Sequence, residues 1–158
     1  MFRELVRKKQ ALTPEECVEV LKKEKRGVLS VCGDDGYPYG VPLNHWYCEE
    51  NGHIYFHGCM TGHRVDAIDR CDKVSFCVYD EGYREEGDWA LNFKSVIVFG
   101  RMKRVEDPKE ALEKIVALSY HFINDAEYIQ KEVDSAAGHT LCLELIPEFI
   151  TGKRVNES

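Results

Sequence analysis

The chain has no apolar run near the ~20 residues that a membrane-crossing helix needs, and no CxxC pair among its seven cysteines. It carries no GxGxxG fingerprint, the sequence sign of a dinucleotide-binding turn. Internal repeats and low-complexity tracts are absent, and only five prolines interrupt 158 residues. Positive charge is also short: 21 Lys and Arg face 28 Asp and Glu, for a net charge of -7. That balance argues against nucleic acid as the principal partner, because phosphate backbones demand a basic surface. A local basic site for one small anion remains open. The odd cysteine count and the apolar company of the cysteines, as in "LSVCG" and "SFCVYD", fit free thiols. The N-terminal "MFRELVRKKQALTPEE" is basic without the continuous apolar core of a signal peptide. The expectation is a soluble, cytoplasmic protein with no membrane partner, folded as a single domain over residues 1–158.

What is present is alternation. "LTPEECVEVLKKEKRG" reads as a helix with Thr13 as N-cap, Pro14 at the first helical position and Glu16 completing a capping box. Cys17, Val20 and Leu21 form its apolar stripe, and Gly27 is expected to terminate it. "GVLSVCG" then has strand character, "DDG" turns the chain into one strand, "YPYGVPLNHWY", and "ENG" turns it into "HIYFHG". Residues 61–71 read as a short helix and "KVSFCVYD" as a strand. "EGYREEGDWAL" (residues 81–91) is a loop, and "NFKSVIVFGRMKRVE" a long strand in which Gly100 suits a bulge. A helix capped by Asp107 with Pro108, a second helix near 125–136 and a final strand "HTLCLELIPEFITGKRV" complete the chain. About six strands, mostly joined by hairpins, predict a mainly β protein: an antiparallel barrel with added helices.

Reactive side chains concentrate in "HIYFHGCMTGHRVDAI" (residues 53–68). His53, His57, Cys59 and His63 are all competent metal ligands, but His53 and His57 stand roughly 13 Å apart on an extended strand. No metal ion is expected. A phosphate cradle fits better: a strand ends at His57, "GCMTG" makes a corner, and a helix starts with Thr61 placed as its N-cap. The first amides of that helix lack internal partners, Gly62 admits close approach, and His63 and Arg64 add donors and charge. The competing reading is an ordinary helix start with solvated basic residues. His45, Trp46, Tyr37 and Tyr39 are candidates either for lining a pocket or for barrel packing.

Taken together and in this order, "RGVLSVCGDDGYPYGVPLNHWY", "IYFHGCMTGHRVDAI" and "NFKSVIVFGRM" resemble the nitroimidazole-resistance flavoproteins. These belong to the pyridoxamine 5'-phosphate oxidase-like, FMN-binding split-barrel superfamily. The resemblance implies a six-stranded antiparallel split barrel and a homodimer with FMN between subunits. It assigns the cofactor phosphate to Gly58, Thr61, Gly62, His63 and Arg64, and the flavin ring to a strand carrying Val41, Pro42, Leu43 and Asn44. Ser95 matches a polar strand position near the phosphate. His57 matches a strand-end histidine beside the open flavin face, where it can hold substrate or donate a proton. The activity implied is that of an FMN-dependent oxidoreductase acting on electron-poor small molecules such as nitroaromatics. A pyridoxamine 5'-phosphate oxidase needs a second basic constellation, for which Arg101, Lys103 and Arg104 are the one candidate. A non-catalytic flavin or haem protein is the remaining alternative.

Overall fold

The computed structural model describes residues 1–136 and 138–156. In chain order it contains α1 (Pro14–Lys23), β1 (Arg26–Cys32), β2 (Pro38–Asn44), β3 (Trp46–Cys48) and β4 (His53–Cys59). α2 (His63–Arg70), β5 (Lys73–Tyr79), β6 (Asn92–Arg104), α3 (Pro108–Phe122), α4 (Ala126–Ala136) and β7 (Thr140–Asn156) follow. The seven strands form one antiparallel sheet in the order β2-β1-β5-β6-β7-β4-β3.

The sequence predicts six strands because it reads residues 37–47 as one. The structure splits that stretch at His45, so the count is seven. β2 and β3 are the two edges of the sheet, yet a single residue separates them in the chain. The sheet therefore curls until its edges meet at His45, which makes the half-barrel. His45 is the hinge of that corner and is 0% exposed. Its backbone N–H donates to Lys25 O (3.2 Å) and its Nε2–H to Leu21 O (2.8 Å), while its ring stands edge-on to Phe76. A carbonyl can only accept, so the proton sits on Nε2. The possible pocket role of His45 is thus replaced by a structural one.

Strand alternation divides the two faces of the sheet. Leu29, Phe56, Phe76, Val98 and Leu143 point inward, with Phe56 and Phe76 packed edge to face at 5.0 Å. α1 closes this core with Cys17, Val20 and Leu21. The expected capping box of Thr13 and Glu16 is present, but the helix ends at Glu24. Gly27 instead lies within β1, where a Cβ would collide with Cys77 O and the Phe76 ring. Close approach, rather than helix termination, explains that glycine. Gly100 does sit at a register shift between β6 and β7.

On the outer face, Tyr55, Cys48 and Cys142 form a second small cluster under α3, with Trp46, Ala111 and Ile115 against it. Trp46 accordingly packs beneath a helix instead of lining a pocket. Asp107 caps α3 by accepting from Lys109 N (3.1 Å), and Pro108 occupies its first position. Residues 81–91 form the expected loop, with Tyr83 and Trp89 exposed. No helix among the described residues is long and apolar enough to cross a membrane.

Burial holds the His45 pKa down at about 4, aided by the neighbouring His121, although the bond to Leu21 O opposes the shift. The unfolded chain, with an ordinary imidazole near 6.5, then binds the proton first. Stability contributed by neutral His45 is present above pH ~6.5 and is lost as pH falls toward 4, by roughly 3 kcal/mol. Denaturant unfolding between pH 7 and 4 should show this slope, and His45→Gln, which keeps a donor for Leu21 O, should lose it. An unchanged slope in the variant would contradict the assignment.

Candidate functional site

The outer edge of β2 is the place to begin, since β2 pairs only with β1 within the sheet. Its residues alternate: Tyr39, Val41 and Leu43 pack against the core, whereas Gly40, Pro42 and Asn44 are exposed. Pro42 offers no N–H to a neighbouring strand, which suits an edge. Pro42, Leu43 and Asn44 line an open groove of about 430 Å³ together with Arg26 and His57. Arg26 Nε donates to Asn44 Oδ1 at 2.9 Å and so fixes the amide at the groove's rim. Val41 is not part of this lining.

His57 enters the groove from β4. It shares the face of Tyr55, which α3 covers, and emerges where that cover ends. The side chain is exposed, but the crowding around its ring and the charge of Arg64 both hold its pKa below the ordinary imidazole value. It is therefore a neutral imidazole at neutral pH, able to donate from one nitrogen and accept at the other.

The corner after β4 departs from expectation in one detail and sharpens in another. Gly62, not Thr61, is the N-cap of α2, with φ of 127° that a side chain would strain, and Thr61 makes no capping bond. Of the two basic residues in the first turn, His63 turns away. Its ring stacks on Tyr39 at 4.1 Å and its Nε2 lies 3.7 Å from Asp34. Arg64 takes the other direction and lies over Gly58, where a Cβ would collide with its Nη2. There the Arg64 Nε is buried without a hydrogen-bond partner. A buried unpaired guanidinium nitrogen is costly, and it marks where a missing acceptor belongs.

The candidate residues thus form a connected set, with exceptions. Pro42, Leu43, Asn44 and His57 share a groove, and Arg64 adjoins it through Gly58. Ser95 stands apart within one chain. Gly58 pairs with Leu141 and Arg104 with Leu143, while Ser95 lies nine residues up β6 from Arg104, roughly 30 Å along a strand. The metal candidates also disperse: His53 Nδ1 bonds Glu144 Oε1 at 2.6 Å, and His63 faces Asp34. Among the described residues no three such side chains gather as a metal site.

Two neighbours went unread in the sequence. Arg26 opens a stretch that carries the resemblance but shows no sign there of reaching the site, and the α3–α4 hairpin reads only as amphipathic helix. In the structure this hairpin stands beside His57 and Asn44 across a half-open pocket of about 300 Å³. A wider cleft of about 590 Å³ lies near Asp69, Asp72, Glu106 and Glu110, and its acidity is unsuited to an anion.

The coupling of His57 to Arg64 is measurable. Arg64→Ala should raise the His57 pKa toward, but not up to, its ordinary value, because the crowding remains. An NMR titration of the ring protons reads this directly. A pKa that does not move would show that the guanidinium is not beside the imidazole.

The profile of the family described as pyridoxamine 5'-phosphate oxidase matches residues 13–154. No curated protein matches the chain in a sequence search. Among solved structures, a candidate 5-nitroimidazole antibiotic resistance protein from Bacteroides thetaiotaomicron superposes with a TM-score of 0.78 at 16% identity, covering 92% of this chain and 87% of that one. An FAD-binding protein from Mesorhizobium loti gives 0.65 at 23% identity, covering 92% and 97%. An FAD-binding protein from Mycobacterium smegmatis gives 0.66 at 20% identity, covering 94% and 99%. At these identities the structures establish a shared fold, and the profile, which spans most of the sequence, establishes kinship: the chain belongs to the pyridoxamine 5'-phosphate oxidase family.

Proposed function

We propose that this protein is an FMN-binding oxidoreductase that acts, as a homodimer, on small electron-poor molecules. The observation that carries the reading is the buried, partnerless Arg64 Nε over Gly58, beside a groove whose wall is an unpaired strand edge. A terminal phosphate supplies the acceptor that Arg64 lacks, and the first amides of α2 add directional donors. The flavin ring would lie along Pro42, Leu43 and Asn44, against backbone groups that the sheet leaves free. Flavin, when bound, supplies the electron transfer; the protein supplies position and electrostatics. His57 would hold a neutral imidazole at the open end of the groove, ready to bind a polar substituent or pass a proton.

Oxidation of pyridoxamine phosphate itself is disfavoured by charge. The candidate basic run is already spoken for: Arg101 engages Asp72 and Glu148, Lys103 engages Glu144, and Arg104 engages Asp69. A second phosphate finds no free cation there. The relatives described as FAD-binding favour a flavin in general, and the buried, partnerless Arg64 Nε favours one terminal phosphate, hence FMN.

Pairing supports the dimer. Two adjacent rows on the outer face, Gly40–Ser30–Ser75–Phe99 and Pro42–Val28–Cys77–Ile97, contain no charged residue. An uncharged sheet face beside the groove suits a two-fold contact in which the partner supplies the second wall.

Two experiments follow. Arg64→Ala should weaken FMN about ten- to hundredfold while leaving riboflavin, which has no phosphate, almost unaffected. Equal loss of both ligands, or of neither, would place the phosphate elsewhere. Val28→Glu puts a charge in the middle of the uncharged rows and should yield a folded monomer with little flavin. A dimer that keeps its flavin would locate the interface on another face; sedimentation and visible absorbance read the two properties together.

A further inference from the structure

The α3–α4 hairpin is seated loosely. Of its two helices only Leu118 and Ile129 are buried among the described residues. Space remains on both sides of Ile115 and Val133: about 300 Å³ toward His57 and about 440 Å³ toward Leu141. Both are half-open pockets, and the first matches the lower range of small-molecule sites.

Its lining is selective. Leu118, Phe122, Ile129 and Val133 give it apolar walls, and Ile123 and Tyr128 stand partly exposed at its margin. His57 and Asn44 close one end, and these same two residues line the β2 groove. The two spaces therefore share a boundary. Among the described lining residues none is Lys or Arg, and Glu132 is the sole carboxylate. Lys25, over the Phe122 ring at 5.7 Å, and Arg26 and Arg64 stand nearby but outside this lining.

The geometry points to the α3–α4 cavity as the seat of a second ligand, an uncharged, apolar ring compound that enters under the helical hairpin and presents one edge to His57 and Asn44. This inference rests on the reading of the β2 groove as the cofactor seat. An anion is disfavoured by the lining itself, because it would surrender its hydration beside Glu132 while the cations behind the wall face Phe122, Asn44 and Gly58 instead. A neutral ring meets only apolar walls and two polar groups at one end, where a nitro, carbonyl or ring N–H group can bond to the imidazole or the amide. Substrate choice in this chain is accordingly set by charge and size in the hairpin.

The test uses the protein as purified, with indole as the neutral probe and indole-3-carboxylate as its anionic counterpart. Calorimetric titration should show indole binding at least about tenfold tighter than the carboxylate. Val133→Trp fills the cavity and should abolish indole binding while leaving visible flavin absorbance and thermal unfolding unchanged. Ser119→Phe, on the facing helix, is the second filling variant should Val133→Trp fail to fold. Val133→Lys places a cation in the wall and should reverse the preference toward the carboxylate. Equal binding of the two probes, no indole binding, or binding that survives both filling variants would overturn the proposal. The cofactor reading fails separately: a colourless protein that still binds indole keeps this pocket and removes the flavin from the groove.

Discussion

The half-barrel depends on one buried corner. The chain cannot pass from the β2 edge of the sheet to the β3 edge without interrupting its ladder, and His45 makes that interruption tolerable. Its backbone N–H goes to Lys25 O and its ring to Leu21 O, so the corner is tied to α1 and its exit. This lets β2 remain an edge with its outer groups unpaired, and it brings Asn44 within the same groove as His57. Folding and site are therefore joined at a residue that touches neither candidate ligand.

A different corner, between β4 and α2, sets the electrostatic character of the site. The protein is acidic as a whole, and several of its surface cations pair with carboxylates, as at Arg70 with Asp34 and Arg104 with Asp69. Arg64 is different: its Nε is buried without a partner, and its charge is felt by His57. A buried guanidinium nitrogen without a partner, in an acidic molecule, is a selective device. In the proposed reading it favours a single phosphate at that corner, whereas the mostly apolar walls beneath α3 and α4, with Glu132 as their one carboxylate among the described residues, favour a neutral compound next to it.

Much of this was legible in the sequence, for identifiable reasons. Strict alternation announced β1, β5 and β6, and the Thr13–Glu16 and Asp107–Pro108 signals announced α1 and α3. The split at His45 was not legible, because a strand that changes sheet edges keeps its alternation through the corner. Nor was the divergence of His63 and Arg64. Adjacent residues in a helix point about 100° apart, and only the packed structure shows that Tyr39 claims one and Gly58 the other. The separation of Ser95 from the corner is a matter of register along β6 and β7, which no local pattern encodes. The α3–α4 cavity depends on how loosely a hairpin settles, and amphipathicity alone does not report that.

The central claim is that Arg64 holds a phosphate at the mouth of a half-barrel closed by His45. A crystal structure of the protein grown with FMN tests it most directly. The account predicts the phosphate within hydrogen-bond distance of Arg64 Nε over Gly58, with the ring along Pro42, Leu43 and Asn44. A phosphate bound at Arg101, Lys103 or Arg104, with Arg64 Nε still unpartnered, would contradict it.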